Sequence, residues 1–370
     1  MNILAIIFYA FIVVVFIQLA FYTLFLTKFA LSKYKKSSKK NISISVIICA
    51  KNEAENLKAF LPSILNQEYP SFEIVLINDV SSDNTLDVME EFASKNSNIK
   101  IVNVQNNEAF WGNKKYALTL GIKAASHNFF LFTDADCKPI SKYWIKEMTS
   151  NFSKEKTIVL GYGNYAQVEK SFLNKLIRFE TLLTAIQYFS FSEIGMTYMG
   201  VGRNLAYRRE EFFNANGFIE HMDIRSGDDD LFINQVATEK NTSLCYSHES
   251  FTESIPEKSF KKWFNQKRRH VTSAHRYKIK HKIVLSLFYL SQFLFWAFAS
   301  ILLIALFNWK IVLLLALVRI ILHFLVFTFS TKKLGEKDVL FLLPFLEIFL
   351  IGSQIAIFIS NLISKPNRWK

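Results

Sequence analysis

The chain has 370 residues, is 51% hydrophobic, contains 37 phenylalanines and carries a formal net charge of +13. The apolar residues are concentrated at the two ends of the chain, and most of the excess positive charge lies in two clusters beside them. Because a nucleic-acid-binding domain spreads basic charge over its folded surface, this distribution argues against a nucleic-acid partner. Three widely separated cysteines also exclude a disulfide framework or a zinc site as the organising feature.

The first apolar block, residues 3–26, carries no charge and is long enough to span a bilayer. Basic residues follow this block instead of preceding it, and no small-residue cleavage site is present, so the sequence predicts a retained anchor and not a signal peptide. A basic linker, 27–42, comes next. Its basic residues are Lys28, Lys33, Lys35, Lys36, Lys39 and Lys40.

Residues 43–260 are predicted to form one α/β domain. The predicted strands are 43–50, 72–77, 99–104 and 128–133. The predicted helices between them are 53–65, a helix capped by Asp83, and 114–125. This alternation predicts a mostly parallel sheet of the nucleotide-binding type. Gly-X-Gly-X-X-Gly and Walker sequences are absent, so the pattern does not favour a dinucleotide-binding enzyme or a P-loop ATPase.

Acidic side chains follow three of these strands. Glu53 comes after the first strand, Asp79 after the second, and Asp134 and Asp136 after the fourth. Because ligands bind at the carboxyl ends of parallel strands, we expect these side chains to form one site, where Asp79 could bind a nucleotide base or ribose. Asp134 and Asp136 offer hard oxygen ligands that suit Mg²⁺ or Mn²⁺, although a solvated loop is the alternative interpretation.

Three consecutive acids, Asp228, Asp229 and Asp230, precede an apolar helical pattern. Negative charge at the start of a helix is stabilised by the helix dipole, which accounts for part of the run. Capping does not require three carboxylates, however. Neighbouring carboxylates raise one another's pKa, which suits one of them for proton transfer.

Residues 261–282 are predicted to form a basic amphipathic helix on the membrane surface. Gln266 and Arg269 lie one turn apart on its same face, which would allow them to serve a site. Basic clusters on both sides of the α/β domain predict that the domain is cytoplasmic and meets an anionic membrane surface. The basic residues of this cluster are Lys261, Lys262, Lys267, Arg268, Arg269, Arg276, Lys278, Lys280 and Lys282.

Three more apolar segments follow, at 283–307, 311–329 and 339–359. The first two are predicted to cross the membrane. The third contains Pro344, Glu347 and Gln354, so it is predicted either to cross or to be kinked, tilted or re-entrant. If all four apolar segments cross, the basic C-terminal tail lies away from the cytoplasm, against the usual preference.

The order and spacing of these residues resemble the membrane-bound glycosyltransferases of family 2, which have the GT-A fold. The resemblance extends over residues 43–275 and the flanking spans. Related members of the family are the ceramide-glucosyltransferase-like and the polysaccharide-synthase-like enzymes. The motifs that carry it are Asn52-Glu53, Asn78-Asp79, Lys114-Lys115-Tyr116-Ala117-Leu118, Asp134-Ala135-Asp136, Gly202-Arg203-Asn204, Gly227-Asp228-Asp229 and Gln266-Lys267-Arg268-Arg269-His270. Thr119 stands where the family has Asn, and His270 stands where it has Trp.

The resemblance implies a role for each of these residues. Asp229 would be the catalytic base, with Asp228 beside it. Asp136, together with Asp134, would hold Mg²⁺ or Mn²⁺. The residues implied to bind substrate are Glu53, Asp79, Lys114, Asp134, Arg203, Gln266 and Arg269.

We therefore expect an inverting glycosyltransferase of the cell membrane that moves a sugar from a nucleotide-diphosphate sugar, a UDP-sugar in the first place, to a membrane lipid or lipid-linked glycan. One base and one direct displacement predict inversion at the anomeric carbon. Two alternatives stay open: a processive polysaccharide synthase, and a non-catalytic scaffold that binds a nucleotide sugar. The small number of spans and His270 weigh against the synthase.

Overall fold

A computed structural model describes residues 2–34, 40–105, 114–224 and 226–364. Six basic residues named above or in the C-terminal tail lie outside the described residues: Lys35, Lys36, Lys39, Lys365, Arg368 and Lys370. Within the described part, an α/β unit is joined at both ends to long apolar helices.

The strands of the described residues form two sheets. They are β1 (Ile44–Ala50), β2 (Phe72–Asn78), β3 (Ile99–Asn103), β4 (Phe129–Phe132), β5 (Cys137–Pro139), β6 (Ile158–Leu160), β7 (Gly163–Tyr165), β8 (Leu205–Arg208), β9 (Thr242–Leu244) and β10 (Thr252–Ser254). The larger sheet has the order β3-β2-β1-β4-β8-β6-β9, and the smaller one has the order β5-β10-β7.

Helices connect many of these strands and also form the two apolar ends of the chain. In chain order they are α1 (Ile3–Leu31), α2 (Ala54–Leu65), α3 (Thr85–Lys95), α4 (Lys114–Ala124), α5 (Trp144–Ser150), α6 (Phe172–Glu193), α7 (Arg209–Asn214), α8 (Asp230–Val236), α9 (Phe260–Val271), α10 (Ile279–Ile304), α11 (Trp309–Leu334) and α12 (Leu343–Ile363).

The mostly parallel sheet predicted from the sequence is confirmed. β1 pairs in parallel with β2 and with β4, and β2 pairs in parallel with β3, so three predicted strand ends meet at one edge. β8 is antiparallel to its neighbours β4 and β6. The four predicted strands and the helices between them agree with the structure to within one or two residues, whereas the small second sheet was not predicted.

Alternate residues of β1 face two separate hydrophobic layers, which is why all seven residues of this strand are buried. Val46 and Ile48 pack in the layer that contains Leu57 of α2. Ile47 and Cys49 pack in the layer that contains Leu118 of α4. The sheet is thus covered on both faces, and only its edges and strand ends remain for a site.

Three local expectations differ from the structure. The N-cap of α3 is Asn84, while Asp83 accepts hydrogen bonds from Thr85 N (3.0 Å) and from Ala54 N (3.4 Å), so Asp83 supports the starts of two helices. Pro344 lies in the first turn of α12, where a proline is tolerated and causes no kink. The basic segment 261–282 is not one helix, because α9 ends at Val271 and a short 3-10 turn separates it from α10.

Among the described residues, four helical segments are long and apolar enough to cross a membrane: Ile3–Leu31, Ile279–Ile304, Trp309–Leu334 and Lys337–Ile363. The long helix α6 connects the α/β unit to three of them. The Phe189 ring lies 4.9 Å from the ring of Phe29, the Phe179 ring lies 5.7 Å from that of Phe327, and Tyr289 OH donates to Gln187 Oε1 at 3.0 Å.

Candidate active site

The carboxyl ends of β1 and β4 open into a cleft of about 350 Å³ that also receives the loop before α8. Its lining includes Lys114, Thr133, Asp134, Gly202, Asp228 and Asp229. These residues come from four separate parts of the sequence, and the parallel sheet brings them together because its strands end at the same edge.

Lys114 bridges two of the predicted acids. Its Nζ lies 3.1 Å from Asp134 Oδ1 and 2.9 Å from Asp228 Oδ2. Burial by itself would lower the pKa of Lys114, but the charges of Asp134 and Asp228 outweigh burial and hold the pKa above its usual value. In turn, Lys114 outweighs the effect of burial on Asp228 and keeps the pKa of that carboxyl low. Lys114 and Asp228 are therefore both charged at neutral pH.

Asp229 is held differently from its neighbour. Gly202 N donates to Asp229 Oδ2 at 2.6 Å, and Asp230 N donates to Asp229 Oδ1 at 2.7 Å. Burial, followed by the charges of Asp228 and Asp230, raises the pKa of Asp229 to about 7. A carboxylate with this pKa can accept a proton near neutral pH.

The glycine at position 202 favours this arrangement. A side-chain carbon there would lie 3.2 Å from Asp229 Oδ2, closer than an ordinary van der Waals contact. The glycine of the Gly202-Arg203-Asn204 turn thus allows the main chain to approach the acid and donate to it.

Asp134, Asp136 and Cys137 form a group whose ligand atoms all lie within 4.8 Å of one another. The Cys137 thiol is buried, which raises its pKa, and its Sγ lies 2.9 Å from Ser254 Oγ, so the sulfur stays protonated. Burial and the charge of Asp134 raise the pKa of Asp136. Two adjacent carboxylates that repel each other fit a hard divalent cation such as Mg²⁺ or Mn²⁺, whereas a neutral thiol does not.

The predicted nucleotide side of the cleft contains polar groups without partners. Asp79 is only 4% exposed and its Oδ2 has no hydrogen-bond partner among the described residues, although Lys51 Nζ lies 3.8 Å away. Burial raises the pKa of Asp79. Val80, which follows it, has φ of +52°, an unusual backbone conformation for a β-branched residue. Strain and unpaired polar atoms at a strand end are typical of a ligand site.

Glu53 and Arg203 are two further predicted substrate-binding residues, and each has its own local contacts. Glu53 is buried at the start of α2, where it accepts a hydrogen bond from Asn56 Nδ2 at 2.6 Å. Arg203 stacks on the Tyr165 ring, with Cζ 4.5 Å from the ring centre. A side-chain carbon at Gly163 would lie 2.5 Å from Arg203 Nε, so glycine makes room for the arginine.

Gln266 and Arg269 are half-buried on α9, and in the described part of the chain neither is among the residues that line the cleft. The helix itself reaches the acidic loop, because Ser226 Oγ donates to Arg269 O at 3.4 Å. The structure thus brings their helix to the acidic loop, and the substrate-binding roles of Gln266 and Arg269 stay predictions.

Sequence reasoning gave no role to Asn204, which fixes the turn that carries Gly202 and Arg203. Its Nδ2 donates to Tyr162 O and to Ser250 O, both at 2.8 Å, and its Oδ1 accepts from Trp144 Nε1 at 3.0 Å. The available signal in the sequence was an asparagine directly after Gly202 and Arg203; its complete burial is visible only in the structure.

The fold is of the GT-A type, and comparison with protein families shows which family the chain belongs to. The Glycosyl transferase family 2 model matches residues 45–214, and the Glycosyl transferase family group 2 model matches residues 143–331, just over half of the chain. The chain therefore belongs to glycosyltransferase family 2 and is a glycosyltransferase.

Solved structures show the same fold. The mannosyltransferase PcManGT from Pyrobaculum calidifontis, solved in complex with GDP-Man and Mn²⁺, superposes with a TM-score of 0.59 over 90% of this chain and 100% of its own, at 17% sequence identity. At this level of identity, the likeness shows a shared architecture and does not carry over a substrate.

Curated relatives match parts of the chain. It is 42% identical over 93 residues to the poly-beta-1,6-N-acetyl-D-glucosamine synthase of Staphylococcus epidermidis, covering 25% of this chain and 21% of that protein. It is 29% identical over 133 residues to the UDP-Glc:alpha-D-GlcNAc-diphosphoundecaprenol beta-1,3-glucosyltransferase of Escherichia coli, covering 35% of this chain and 48% of that protein. The chain thus spans about a fifth and about half of these two relatives. The long apolar helices are consistent with a membrane protein.

Proposed function

We propose that this glycosyltransferase moves a sugar from a nucleotide-diphosphate sugar to a hydroxyl of a membrane lipid or lipid-linked glycan, with inversion, on the cytoplasmic side of the membrane. One observation carries the proposal. Asp229, with a pKa raised to about 7, shares a cleft with the ion bridge that Lys114 makes to Asp134 and Asp228. A proton acceptor and a cationic group for a leaving diphosphate are therefore side by side.

The donor would occupy the carboxyl ends of β1, β2 and β4. Asp79 would accept hydrogen bonds from the base or ribose with its unpartnered Oδ2. Asp136 and Asp134 would hold Mg²⁺ or Mn²⁺, which when bound supplies positive charge that stabilises the departing diphosphate. Lys114, held beside Asp134, would add its own charge at the same place.

The acceptor hydroxyl would lose its proton to Asp229 as its oxygen attacks the anomeric carbon. The bond from that carbon to the diphosphate oxygen breaks in the same displacement, and the electron pair leaves with the nucleoside diphosphate. Gly202 N–H keeps the Asp229 carboxylate oriented toward the cleft through Oδ2. Because a single displacement reverses the configuration at carbon, the product is inverted.

Two observations favour a lipid-linked acceptor. The catalytic unit is joined directly to long apolar helices, and the basic helix α9 lies between the acidic loop and those helices. The Escherichia coli relative acts on a diphosphoundecaprenol-linked sugar with a UDP-sugar donor, which makes a UDP-sugar the first donor to examine.

A processive polysaccharide synthase is the second candidate, because the segment with the highest identity among the relatives named above belongs to such a synthase. The two candidates differ in product length. A single transfer gives an acceptor extended by one sugar, whereas a synthase gives a long polymer.

The test uses purified full-length protein with labelled UDP-glucose, UDP-N-acetylglucosamine and GDP-mannose, membrane lipid extract, and Mn²⁺, Mg²⁺ or a chelator. We expect each acceptor in the lipid-extractable fraction to carry a single labelled sugar. This labelling should be lost when a chelator removes the metal. A labelled polymer would favour the synthase. If the protein with Mn²⁺ neither transfers nor hydrolyses these sugar nucleotides, the non-catalytic scaffold becomes the better account.

The metal site has its own test. Asp136→Asn should raise the Mn²⁺ concentration for half-maximal activity by about 10-fold or more, because one of two charged ligands is lost. Glu155→Gln, a substitution outside the cleft, is the control and should leave the metal dependence unchanged. An unaltered Mn²⁺ requirement in Asp136→Asn would contradict the assignment of this ligand.

A further inference from the structure

The third carboxylate of the acidic run turns away from the cleft. Asp230 is 8% exposed, and its Oδ2 accepts hydrogen bonds from Tyr277 OH at 2.6 Å and from Ser273 Oγ. Both donors belong to the short connection between α9 and α10, where the chain passes from the surface helix into the first apolar helix after the catalytic unit.

Contacts on both sides of Asp230 strengthen this attachment. Before the acids, Ser226 Oγ lies 3.0 Å from Thr272 Oγ1. After them, Asn234 of α8 accepts from Lys278 N at 2.9 Å and its Nδ2 lies 2.9 Å from His281 Nδ1. The acidic loop and α8 are therefore attached at three points, Ser226, Asp230 and Asn234, to the segment that leads into the membrane helices.

We propose that Asp230 is a positioning residue that fixes the acidic loop to this connection and so determines where Asp229 lies. The link is short, because Asp230 N donates directly to Asp229 Oδ1 at 2.7 Å while the Asp230 side chain is held by Tyr277 and Ser273. This inference depends on the proposed role of Asp229 as the base.

The test compares Asp230→Asn, Tyr277→Phe and Ser273→Ala in full-length protein. We expect kcat to fall about 10-fold or more in Asp230→Asn, because a misplaced base loses its alignment, while KM for the donor changes less than about 2-fold. Each single-donor variant should retain the fold and show a smaller loss of kcat in the same direction.

A pH profile separates positioning from a general structural defect. The charged or titratable groups that interact with Asp229 include Asp228, Asp230, Lys114, Lys115 and Tyr277. Removing the negative charge of Asp230 should lower the pKa of Asp229, so the acid side of the kcat profile should move to lower pH in Asp230→Asn.

Asp223→Asn is the matched control, because Asp223 forms an exposed ion pair with Arg276 in the same connection. It should leave kcat and the profile unchanged. If the wild-type protein transfers no sugar, the proposed function fails whatever the variants do. If the wild-type protein is active and Asp230→Asn keeps its kcat and its pH profile, the positioning role alone is wrong.

A second, independent observation concerns α12, whose two ends are both tied to the catalytic unit. Arg178 of α6 holds the residues before the helix, with Nε 2.8 Å from Glu336 Oε2 and Nη1 2.8 Å from Asp338 Oδ2. Arg268 of α9 holds the other end, where its Nε donates to Asn361 Oδ1 at 2.9 Å and its carbonyl accepts from Asn361 Nδ2 at 3.0 Å.

These contacts are incompatible with α12 crossing the membrane from one side to the other. A helix of 21 residues is about 31 Å long, close to the thickness of the hydrocarbon layer, so crossing would place its ends on opposite sides. Yet α6 and α9 belong to one unit, joined by the ion pair of Lys267 with Glu180. Between its ends, α12 also packs on α9, with the rings of Phe349 and Phe260 5.9 Å apart.

We infer that this segment is re-entrant: residues 336–342 lead into the helix bundle, Glu347 near the start of α12 pairs there with Arg319, and the helix then runs back to the side of the catalytic unit. The other three apolar helices would then make three crossings. The sequence after α12 carries Lys365, Arg368 and Lys370, and basic residues are typical of cytoplasmic segments.

The topology can be measured on the full chain in bacterial cells. A green fluorescent protein fused after Lys370 should fluoresce, whereas alkaline phosphatase at the same point should be inactive, because both would lie in the cytoplasm. An epitope inserted at Leu306, in the turn between α10 and α11, should be accessible from outside and serves as the control. An active phosphatase and a dark fluorescent fusion would overturn the inference.

Discussion

The cleft at the sheet edge and the polar cluster among the apolar helices both bury charge, but they pair it differently. In the cluster, Arg319 and Glu347 are 0% and 1% exposed, and Arg319 Nη1 donates to Glu347 Oε2 at 2.8 Å. Neighbouring helices satisfy the remaining atoms. They supply Gln18, Tyr22, Gln292 and Trp296.

In the cleft, by contrast, not every buried polar atom has a partner. Asp79 Oδ2 and Thr133 Oγ1 lack hydrogen-bond partners within the described residues, and two acids, Asp134 and Asp228, share one lysine, Lys114. A fully satisfied ion pair fixes how helices pack, whereas unpaired and mutually repelling groups have a use only when a ligand or ion joins them. The comparison therefore assigns packing to the cluster and chemistry to the cleft.

The largest effect should come from Asp229→Asn. Removing the proposed base should lower the transfer rate by about 10³-fold, while donor binding stays within a few-fold of wild type. Steady-state kinetics with the donor identified above and a nucleotide-binding titration measure the two properties separately.

Glu210→Gln is the matched control, because Glu210 is an exposed acid paired with Arg208 at the start of α7 and lies outside the cleft. Its activity should equal that of the wild type. Transfer by Asp229→Asn within about 10-fold of wild type would contradict the assignment of the base, and Asp228→Asn would then be the next variant to measure.

The next effect should appear in stability and not in chemistry. Arg319→Leu leaves Glu347 buried without its partner, which should cost about 3 kcal/mol, seen as a lower midpoint of thermal unfolding in detergent. The double variant Arg319→Leu with Glu347→Leu should recover much of the loss, because neither charge then remains unpaired.

If the single and double variants lost equal stability, the pair would not be the interaction that matters. Activity provides the contrast with the cleft. Whatever fraction of the double variant is folded should transfer sugar at the wild-type rate, since no group of the polar cluster lines the cleft in the described structure.

Much of the cleft followed from the sequence, because its residues lie at ends of strands that the apolar pattern already located. Asp134 after β4 and Asp79 after β2 had to meet at one edge once the sheet was parallel. The bridge from Lys114 to Asp228 was not predicted, since no local pattern relates residues so far apart in sequence.

The polar cluster was harder to predict for the same reason. The sequence shows Glu347 as a charged residue that interrupts an apolar segment. Its partner, Arg319, lies in a different helix, and no local pattern connects the two. Two single charges of opposite sign, each in its own apolar segment, were the available signal. The end of α9 at Val271 was also missed, because the basic composition continues past it.

A smaller effect concerns pH. The pKa of Asp229 is about 7 in the folded protein and about 4 when unfolded, so this group makes folding less favourable as pH rises between these values. Asp229→Asn removes that dependence. Its stability relative to the wild type should therefore improve from about pH 5 to about pH 8, measured by thermal unfolding at each pH. A constant difference would contradict the raised pKa.

The smallest effect should come from a charge pair that is neither buried nor in the cleft. Lys95 pairs with Glu91 on the exposed face of α3, with Nζ 2.6 Å from Oε1. Water screens both charges, so Lys95→Ala should change stability by about 0.5 kcal/mol or less and should leave transfer unaltered. If Lys95→Ala lost as much stability as Arg319→Leu, burial would not explain the difference between the two ion pairs. That result would contradict the packing role proposed for the polar cluster.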